Sequence, residues 1–412
     1  MHIINSPACG ACQIRLLDVA QGLELSTKER AILEHAQRVV TTTMPVSMDD
    51  GSTRVFTGLR VQYNDALGPT KGGLRYHSEV DAGEVQELAF LMMLKNSLAG
   101  LPYGGGKGGI TCDPKKLSTT ELERLTRSFV RALGTTVGPE TDIPAPDVNT
   151  GAQTMDWFVD EYEKMVGHPA RAVVTGKSVS EGGSLGRDSA TGRGGVYLLE
   201  KYAQEQGWSP KETTIAIQGF GNVGGWFARL AVELGFTVVA VSGSKGGVYA
   251  PEGLAKAALE TALTSKTFPA GKEITNEELL ALPVRVLVPS ALAHQIHKYN
   301  ASTVQAELVI EMANAPITVG ANDILAQEKV VVIPDILANG GGVTVSYFEW
   351  VQNRAQESWE ENKVNELLKK SMLDAYERVS VRRKKVGNTL RQAAYHESIE
   401  RILNAERARG RV

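Results

Sequence analysis

Gly219-Phe220-Gly221-Asn222-Val223-Gly224 follows the β-branched run Thr214-Ile215-Ala216-Ile217 and leads into Trp226-Phe227-Ala228-Arg229-Leu230-Ala231, which reads as a helix. A second apolar run, Val238-Val239-Ala240-Val241, comes after it. The spacing GxGxxG means little in a chain with 42 glycines, but strand, glycine turn, helix and strand together make a βαβ unit. In that setting Gly219 permits a tight turn, Gly221 lets the backbone approach a pyrophosphate, and Gly224 lets helix pack on strand. The helix N-terminus then attracts the negative charge, so the segment predicts a dinucleotide site built from Gly219, Phe220, Gly221, Asn222, Val223 and Gly224.

Further runs at 284–288, 308–311 and 330–333 alternate with helical stretches, which predicts a doubly wound parallel sheet. Ahead of it, Glu181 to Gly194 is dense in glycine and reads as a hinge. The expected division is therefore 1–187 with C-terminal helices from about 370–412 as one domain, and 188–369 as the dinucleotide domain. The first domain reads as mixed α and β. A helix is expected from Lys28 to Val40, and an Asp-Gly turn at Asp50-Gly51 joins two strands as a hairpin. Asp81 caps a helix to Leu98, and Ser118 with Glu121 forms a capping box for another through Leu133.

Composition bounds the function. The chain of 412 residues is 42% hydrophobic and 22% charged with a net charge of -3, so no polyanionic partner is expected. The basic run Arg382-Arg383-Lys384-Lys385 reads as a solvated helix face, and nucleic acid is not expected. No apolar stretch approaches the roughly 20 residues that span a bilayer. The start, Met1-His2-Ile3-Ile4-Asn5-Ser6-Pro7, lacks the pattern of a leader, so a cytoplasmic location is expected. Three cysteines make no disulfide framework, and Cys9-Gly10-Ala11-Cys12 lacks partner ligands, so reduced thiols and no metal are expected. His294 and His297 read as surface residues of a short helix.

Two glycine-rich loops carry lysines: Gly68-Pro69-Thr70-Lys71-Gly72-Gly73-Leu74-Arg75 and Leu101-Pro102-Tyr103-Gly104-Gly105-Gly106-Lys107-Gly108-Gly109. The second is not a P-loop, because Gly108 stands where a Ser or Thr must hold magnesium and Leu101 replaces the first glycine. A lysine bracketed by glycines can instead reach a substrate through crowded backbone and act as a base. After the second strand of the βαβ unit, an NAD-preferring site places an acidic residue against the ribose hydroxyls. This chain has Ser242-Gly243-Ser244-Lys245 there and no acid between Glu233 and Glu252, which leans toward NADP or dual use.

With these blocks the chain resembles the glutamate/leucine/phenylalanine/valine dehydrogenase family, along with Arg60 to Asp65, Met92-Met93-Leu94-Lys95, Ile143 to Thr150 and Asn339 to Ser346. The resemblance covers nearly the whole chain. It implies NAD(P)-dependent oxidative deamination, here of L-glutamate to 2-oxoglutarate and ammonium, in a cleft between the two domains of a homohexamer subunit. By it Lys107 is the catalytic lysine and Asp147 the proton-transferring carboxylate. Lys95 binds the α-carboxylate, and Lys71 with Ser346 holds the side-chain carboxylate, with Gly72, Gly73, Met92, Asn339 and Val343 around the substrate. Arg187, Thr191 and Asn314 match positions near the cofactor.

Lys71 is the discriminating residue, because members acting on hydrocarbon side chains carry an apolar residue at this position. A leucine or phenylalanine dehydrogenase is the rival within the same class, and a catalytically silent, regulatory subunit of the same family is the rival from another class. Departures from the family pattern are Ser178 for proline, Gly243 for aspartate, Met312 for a small residue, and Ala315 for the glycine of Asn-Gly-Pro.

Overall fold

The hairpin around Asp50-Gly51 starts the first unit. In the computed structural model, which describes residues 1–412 apart from Met1, 5–8, Gln21, Lys266, Pro269, Gly387 and Asn388, Gly51 turns at φ +81° between two long antiparallel strands. The leader reading of residues 1–7 lies in part outside the described residues. The chain divides into two units, one of 1–187, 343–364 and 398–412 and one of 188–342 and 365–397. The returning segments thus differ from the expected 370–412.

In the first unit the elements are β1 (His2–Ile4), α1 (Gly10–Val19), α2 (Thr27–Glu34), β2 (Arg38–Ser47), β3 (Thr53–Asn64), β4 (Thr70–His77), α3 (Ala82–Leu98), β5 (Gly104–Thr111), α4 (Thr119–Leu133), β6 (Asp142–Pro146) and α5 (Ala152–Val166). The six strands lie in the order β1-β2-β3-β5-β4-β6. The helix expected over Lys28 to Val40 ends at Glu34, and Val39 and Val40 belong to β2, because the β-branched run Val39 to Thr43 packs better on a pleated surface. Along β2, Met44 and Val46 turn inward while Thr43, Pro45 and Ser47 face out. They meet Leu125, Phe129 and Leu133 of α4 and Phe158 of α5 in one core, to which full burial of a side chain such as Phe129 contributes roughly 1.5–3 kcal/mol. The expected caps hold both helices: Asp81 accepts from Glu84 N at 2.9 Å, and Ser118 Oγ from Glu121 N at 3.1 Å.

Both lysine-bearing loops are strands. The run around Lys71 is β4 and the run around Lys107 is β5, paired in parallel with Lys71 opposite Gly105. Glycine is needed here for space: a Cβ on Gly72 would meet Gly106 O at 1.6 Å, and one on Gly105 would meet Ala89 O of α3 at 2.3 Å. Cys9 and Cys12 are bonded to each other with Cα atoms 5.1 Å apart, which corrects the expectation of reduced thiols at this pair. Cys9 caps α1, and a spacing of three residues over its first turn brings the two sulfurs together. Cys112 is a free, buried thiol.

The second unit holds α6 (Ala190–Gln206), β7 (Thr214–Gln218), α7 (Asn222–Glu233), β8 (Thr237–Gly243), β9 (Gly246–Tyr249), α8 (Lys256–Ser265), β10 (Lys272–Ile274), α9 (Asn276–Leu280), β11 (Val286–Pro289), β12 (Leu308–Ile310), α10 (Val319–Gln327), β13 (Val331–Ile333) and α11 (Asp335–Ala338). Three C-terminal helices follow: α12 (Gly341–Ala355), α13 (Glu361–Val386) and α14 (Leu390–Ala408). The sheet order is β10-β9-β8-β7-β11-β12-β13, parallel from β8 to β13 and antiparallel at β9 and β10. The order reverses at β7, which leaves a crevice at the C-terminal ends of β7 and its neighbours, and the glycine fingerprint sits there. The last glycines of the expected hinge lie inside α6, because a Cβ on Gly192 would meet Trp226 of α7 at 2.7 Å. His294 and His297 stand in turns and not in a helix, since Asn300 accepts from His297 N at 2.7 Å and donates to Gln295 O at 2.9 Å.

Among the described residues no helix is long and apolar enough to cross a membrane, and no three His, Cys, Asp or Glu stand close enough to hold a metal ion.

Candidate active site

Substrate-side geometry starts from a buried ion pair. Arg60 on β3 holds Asp142 on β6 through two bonds, Nε to Oδ2 at 2.7 Å and Nη2 to Oδ1 at 2.5 Å, with both side chains wholly buried. The Nη1 group of Arg60 also donates to Gly72 O at 3.2 Å, so the pair fixes the backbone that follows Lys71. A second buried pair joins Lys177 to Glu349 on α12 at 2.7 Å, and Gly176 N donates to the same carboxylate at 2.8 Å.

These pairs determine the state of Lys71. Its side chain is 1% exposed, and the two carboxylates whose charge favours its ammonium, Glu349 and Asp142, are already taken by Lys177 and Arg60. Burial, then the like charges of Arg187 and Arg60, push the Lys71 ammonium well below the ordinary lysine range, against the pull of Glu349 and Asp142. A buried cation whose neighbouring anions are committed elsewhere is suited to receive a carboxylate from outside. Met92, from α3, borders the same place, its Cγ 3.3 Å from where a Cβ on Gly72 would stand. Ser346 precedes Glu349 by one turn of α12 and is 2% exposed, while Val343 packs against the Leu101, Tyr103 and Trp350 cluster.

The chemical groups lie beside it. Lys107 Nζ is 2.6 Å from Asp147 Oδ2, and Arg75 Nε donates to that same oxygen at 3.0 Å. Burial raises the Asp147 carboxyl, but the charges and hydrogen bonds of Lys107 and Arg75 outweigh it and hold the group down at about 2. Asp147 is therefore an ionised carboxylate at neutral pH. Gly73 is needed beneath it, since a Cβ there would come within 2.8 Å of Asp147 Cβ. Thr150 Oγ1 accepts from Asp147 N at 2.8 Å and donates to Leu74 O at 2.7 Å, which ties the Asp147 turn to β4. Lys95, on α3, is 8% exposed.

The second unit carries the glycine turn of the fingerprint at the start of α7. Gly219 adopts φ +95°, and a Cβ there would meet Ala291 N at 2.6 Å; a Cβ on Gly224 would meet Gly219 O at 2.1 Å. Gly221 caps α7 with open space where a side chain would stand, as a close phosphate requires. Gly219 N and Phe220 N donate to Ser242 O at 3.0 and 2.7 Å. The Ser242 hydroxyl is wholly buried and donates to Asn276 at 2.8 Å, so this serine shapes the turn, whereas Ser244 and Lys245 are the exposed groups past β8. Asn222 donates to Asp188 O at 3.1 Å, which brings the start of α7 to the start of α6, where Thr191 sits.

Asn339 belongs to this unit. Its amide donates to Ala313 O and Asn314 Oδ1, both at 3.2 Å. Beside Asn314, Ala315 holds φ +44°, a left-handed position that favours glycine, and its N–H donates to Asp335 at 2.8 Å. Arg187, expected near the cofactor, is the last residue of the first unit before 188, and its charge bears on Lys71. Sequence reasoning gave no role to Arg75 or Asp142 and missed Lys177, Glu349 and Asp335. The available signal was a charged residue set in an otherwise apolar or glycine-rich run, as Lys177 is in Val173-Val174-Thr175-Gly176-Lys177.

Comparison with known proteins bears on the family of the chain. Residues 182–410 match the model described as glutamate/leucine/phenylalanine/valine dehydrogenase, and residues 36–164 match the dimerisation domain of the same group. The chain is 44% identical to the catabolic NAD-specific glutamate dehydrogenase of Bacillus subtilis, over 92% of this chain and 90% of that one. It is 43% identical to the NADP-specific glutamate dehydrogenase of a Synechocystis strain, over 95% and 96%. Among solved structures, the hetero-hexameric glutamate dehydrogenase of Thermus thermophilus in its leucine-bound form matches with a TM-score of 0.92 at 38% identity, over 98% of this chain and 97% of that one.

Proposed function

We propose that this chain, which belongs to the glutamate/leucine/phenylalanine/valine dehydrogenase family and is an NAD(P)-dependent amino-acid dehydrogenase, acts on L-glutamate, reversibly giving 2-oxoglutarate and ammonium. The observation that carries the choice of substrate is Lys71. A leucine or phenylalanine side chain would bury against that ammonium and leave it without a partner, whereas a second carboxylate pairs with it.

The cradle of Gly219, Gly221 and Gly224 fits a dinucleotide, with Phe220, Asn222 and Val223 in the same turn, Thr191 and Asn314 toward its reactive end, and Gly243, Ser244 and Lys245 at its ribose. When bound, it takes up hydride from the substrate α-carbon. The chain's own groups do the rest. Lys71 with Ser346 holds the side-chain carboxylate and Lys95 the α-carboxylate, so the α-carbon is fixed before reaction. Lys107 activates the water that adds to the resulting imino acid and stabilises the carbinolamine, and a fixed cation there favours the developing negative charge. Asp147, ionised and in contact with Lys107, accepts a proton from the nitrogen and returns it. Its acceptor strength rises when Lys107 turns from it to the substrate, since that ammonium is what lowers it most.

The relatives include both NAD-specific and NADP-specific enzymes. The acid-free turn with exposed Lys245 supports NADP or dual use here. We read the assembly as a homohexamer in the cytoplasm, which light scattering of the purified chain and cell fractionation test. Initial rates of NADPH and NADH oxidation with ammonium and a panel of 2-oxo acids test the reaction. Turnover with 2-oxoglutarate alone agrees with it, and preference for a branched-chain or aromatic oxo acid rejects it.

A further inference from the structure

The cavity between α10, the edge strand β13, α13 and the start of α14 has a volume of about 250 Å³, enough for a small organic molecule, and is open to solvent on one side. Its charge is one-sided. Lys329, Arg383 and Arg391 line it, and among the described residues no Asp or Glu does. Val330, Val332 and Leu390 supply apolar wall, so the complementary ligand is an anion on a small apolar body. Asn322, also on the wall, keeps a buried side-chain oxygen that has no hydrogen-bond partner among the described residues.

Arg391 connects this cavity to the cofactor side. It is 8% exposed, and its guanidinium stands 2.7 Å from Glu311 Oε1 and 4.0 Å from Asp335 Oδ1. Asp335 N donates to Glu311 at 2.8 Å, and Asp335 Oδ2 accepts from Ala315 N at 2.8 Å, in the left-handed turn beside Asn314. Burial pushes the Glu311 carboxyl up to about 7 even with the Arg391 guanidinium pulling it down, so this network depends on that one cation. Arg391 is thus both a wall of the cavity and the counter-charge of the carboxylates that fix the turn.

We propose that this cavity binds a small organic anion as an effector, which draws on Arg391 and so loosens the Asn314-Ala315 turn and weakens dinucleotide binding. The link to the dinucleotide rests on the function proposed above; the binding site itself does not. Coupling of this kind is reciprocal, so cofactor weakens the anion by the same factor.

Phenyl phosphate is the probe, titrated calorimetrically into the intact oligomer at matched ionic strength, with NADPH affinity measured by fluorescence in its presence and absence. Saturable binding is expected, weakened about tenfold or more in the double variant K329M/R383M. Bound phenyl phosphate should raise the NADPH Kd by at least about threefold, an effect lost in Arg391→Met. The double variant should keep its own NADPH Kd, which shows that it is folded.

Equal binding of phenyl phosphate by the double variant would place the anion in the dinucleotide site and overturn the proposal. So would no saturable binding up to about 10 mM, or binding that leaves the NADPH Kd unmoved. Probe binding that survives in a protein inactive on glutamate would reject the substrate reading and keep the cavity.

Discussion

Lys107 Nζ and Asp147 Oδ2 lie 2.6 Å apart, and Arg75 donates to the same oxygen, so one carboxylate is shared by two cations before any substrate arrives. Lys107→Ala should lower kcat by about 10²- to 10⁴-fold while glutamate still binds, because Lys71 and Lys95 are untouched. Steady-state kinetics with a separate binding titration checks it, and near-normal turnover removes Lys107 from its role.

The same pair makes an acid-side stability prediction. Asp147 is held at about 2, below the ordinary carboxylate value, so the group contributes stability that is present above the unfolded value and lost as pH falls through about 4 to 2. The stability difference between wild type and Lys107→Met should therefore be larger at pH 7 than at pH 3 in denaturant titrations. An equal difference at both would mean that the ion pair contributes nothing.

Ala315 occupies a left-handed backbone position at φ +44°. Ala315→Gly removes the strain of a Cβ there and should stabilise the protein by about 0.5–1 kcal/mol, read as a shift in denaturation midpoint. No change would mean that the fixed N–H bond to Asp335 already absorbs the strain.

For the cofactor, Lys245→Ala should weaken NADPH relative to NADH by about tenfold, since an exposed cation beside a 2′-phosphate is lost. Gly243→Asp should act in the same direction, with the Phe268 ring giving way by a few tenths of an ångström where the new Cβ would stand 3.3 Å from it. Unchanged relative kinetics in both would sink the NADP reading.

How much of this was legible follows from which forces are local. The cradle at Gly219 to Gly224 was legible because turn conformation and close approach restrict those positions to glycine, and the fold of the second unit followed from it. The caps at Asp81 and Ser118 are likewise local bonds. What escaped was set by distant partners. That the two lysine segments are strands is decided by β4 pairing with β5 and β6, and the antiparallel strands β9 and β10 are too short to announce themselves. The pairs Arg60 with Asp142 and Lys177 with Glu349 join residues far apart in the chain, so no spacing in the sequence reveals them.

Lys71 is 1% exposed, with its nearest anions engaged elsewhere, and that arrangement costs the fold. Lys71→Met should therefore raise stability at pH 7, by about 1–3 kcal/mol, since a desolvated amine without a carboxylate partner gives way to an apolar side chain of similar length. A fall in stability would mean that the ammonium is satisfied by the protein itself.

The most direct test of the account is the ratio of kcat/KM for 2-oxoglutarate to that for 4-methyl-2-oxopentanoate, in wild type and in Lys71→Met. The account predicts a strong preference for 2-oxoglutarate in the wild type, and a fall in that ratio of about 10³-fold or more in the variant, as expected where a site loses the buried group that pairs with its substrate. A ratio that the substitution leaves unchanged would contradict the claim that Lys71 selects the second carboxylate.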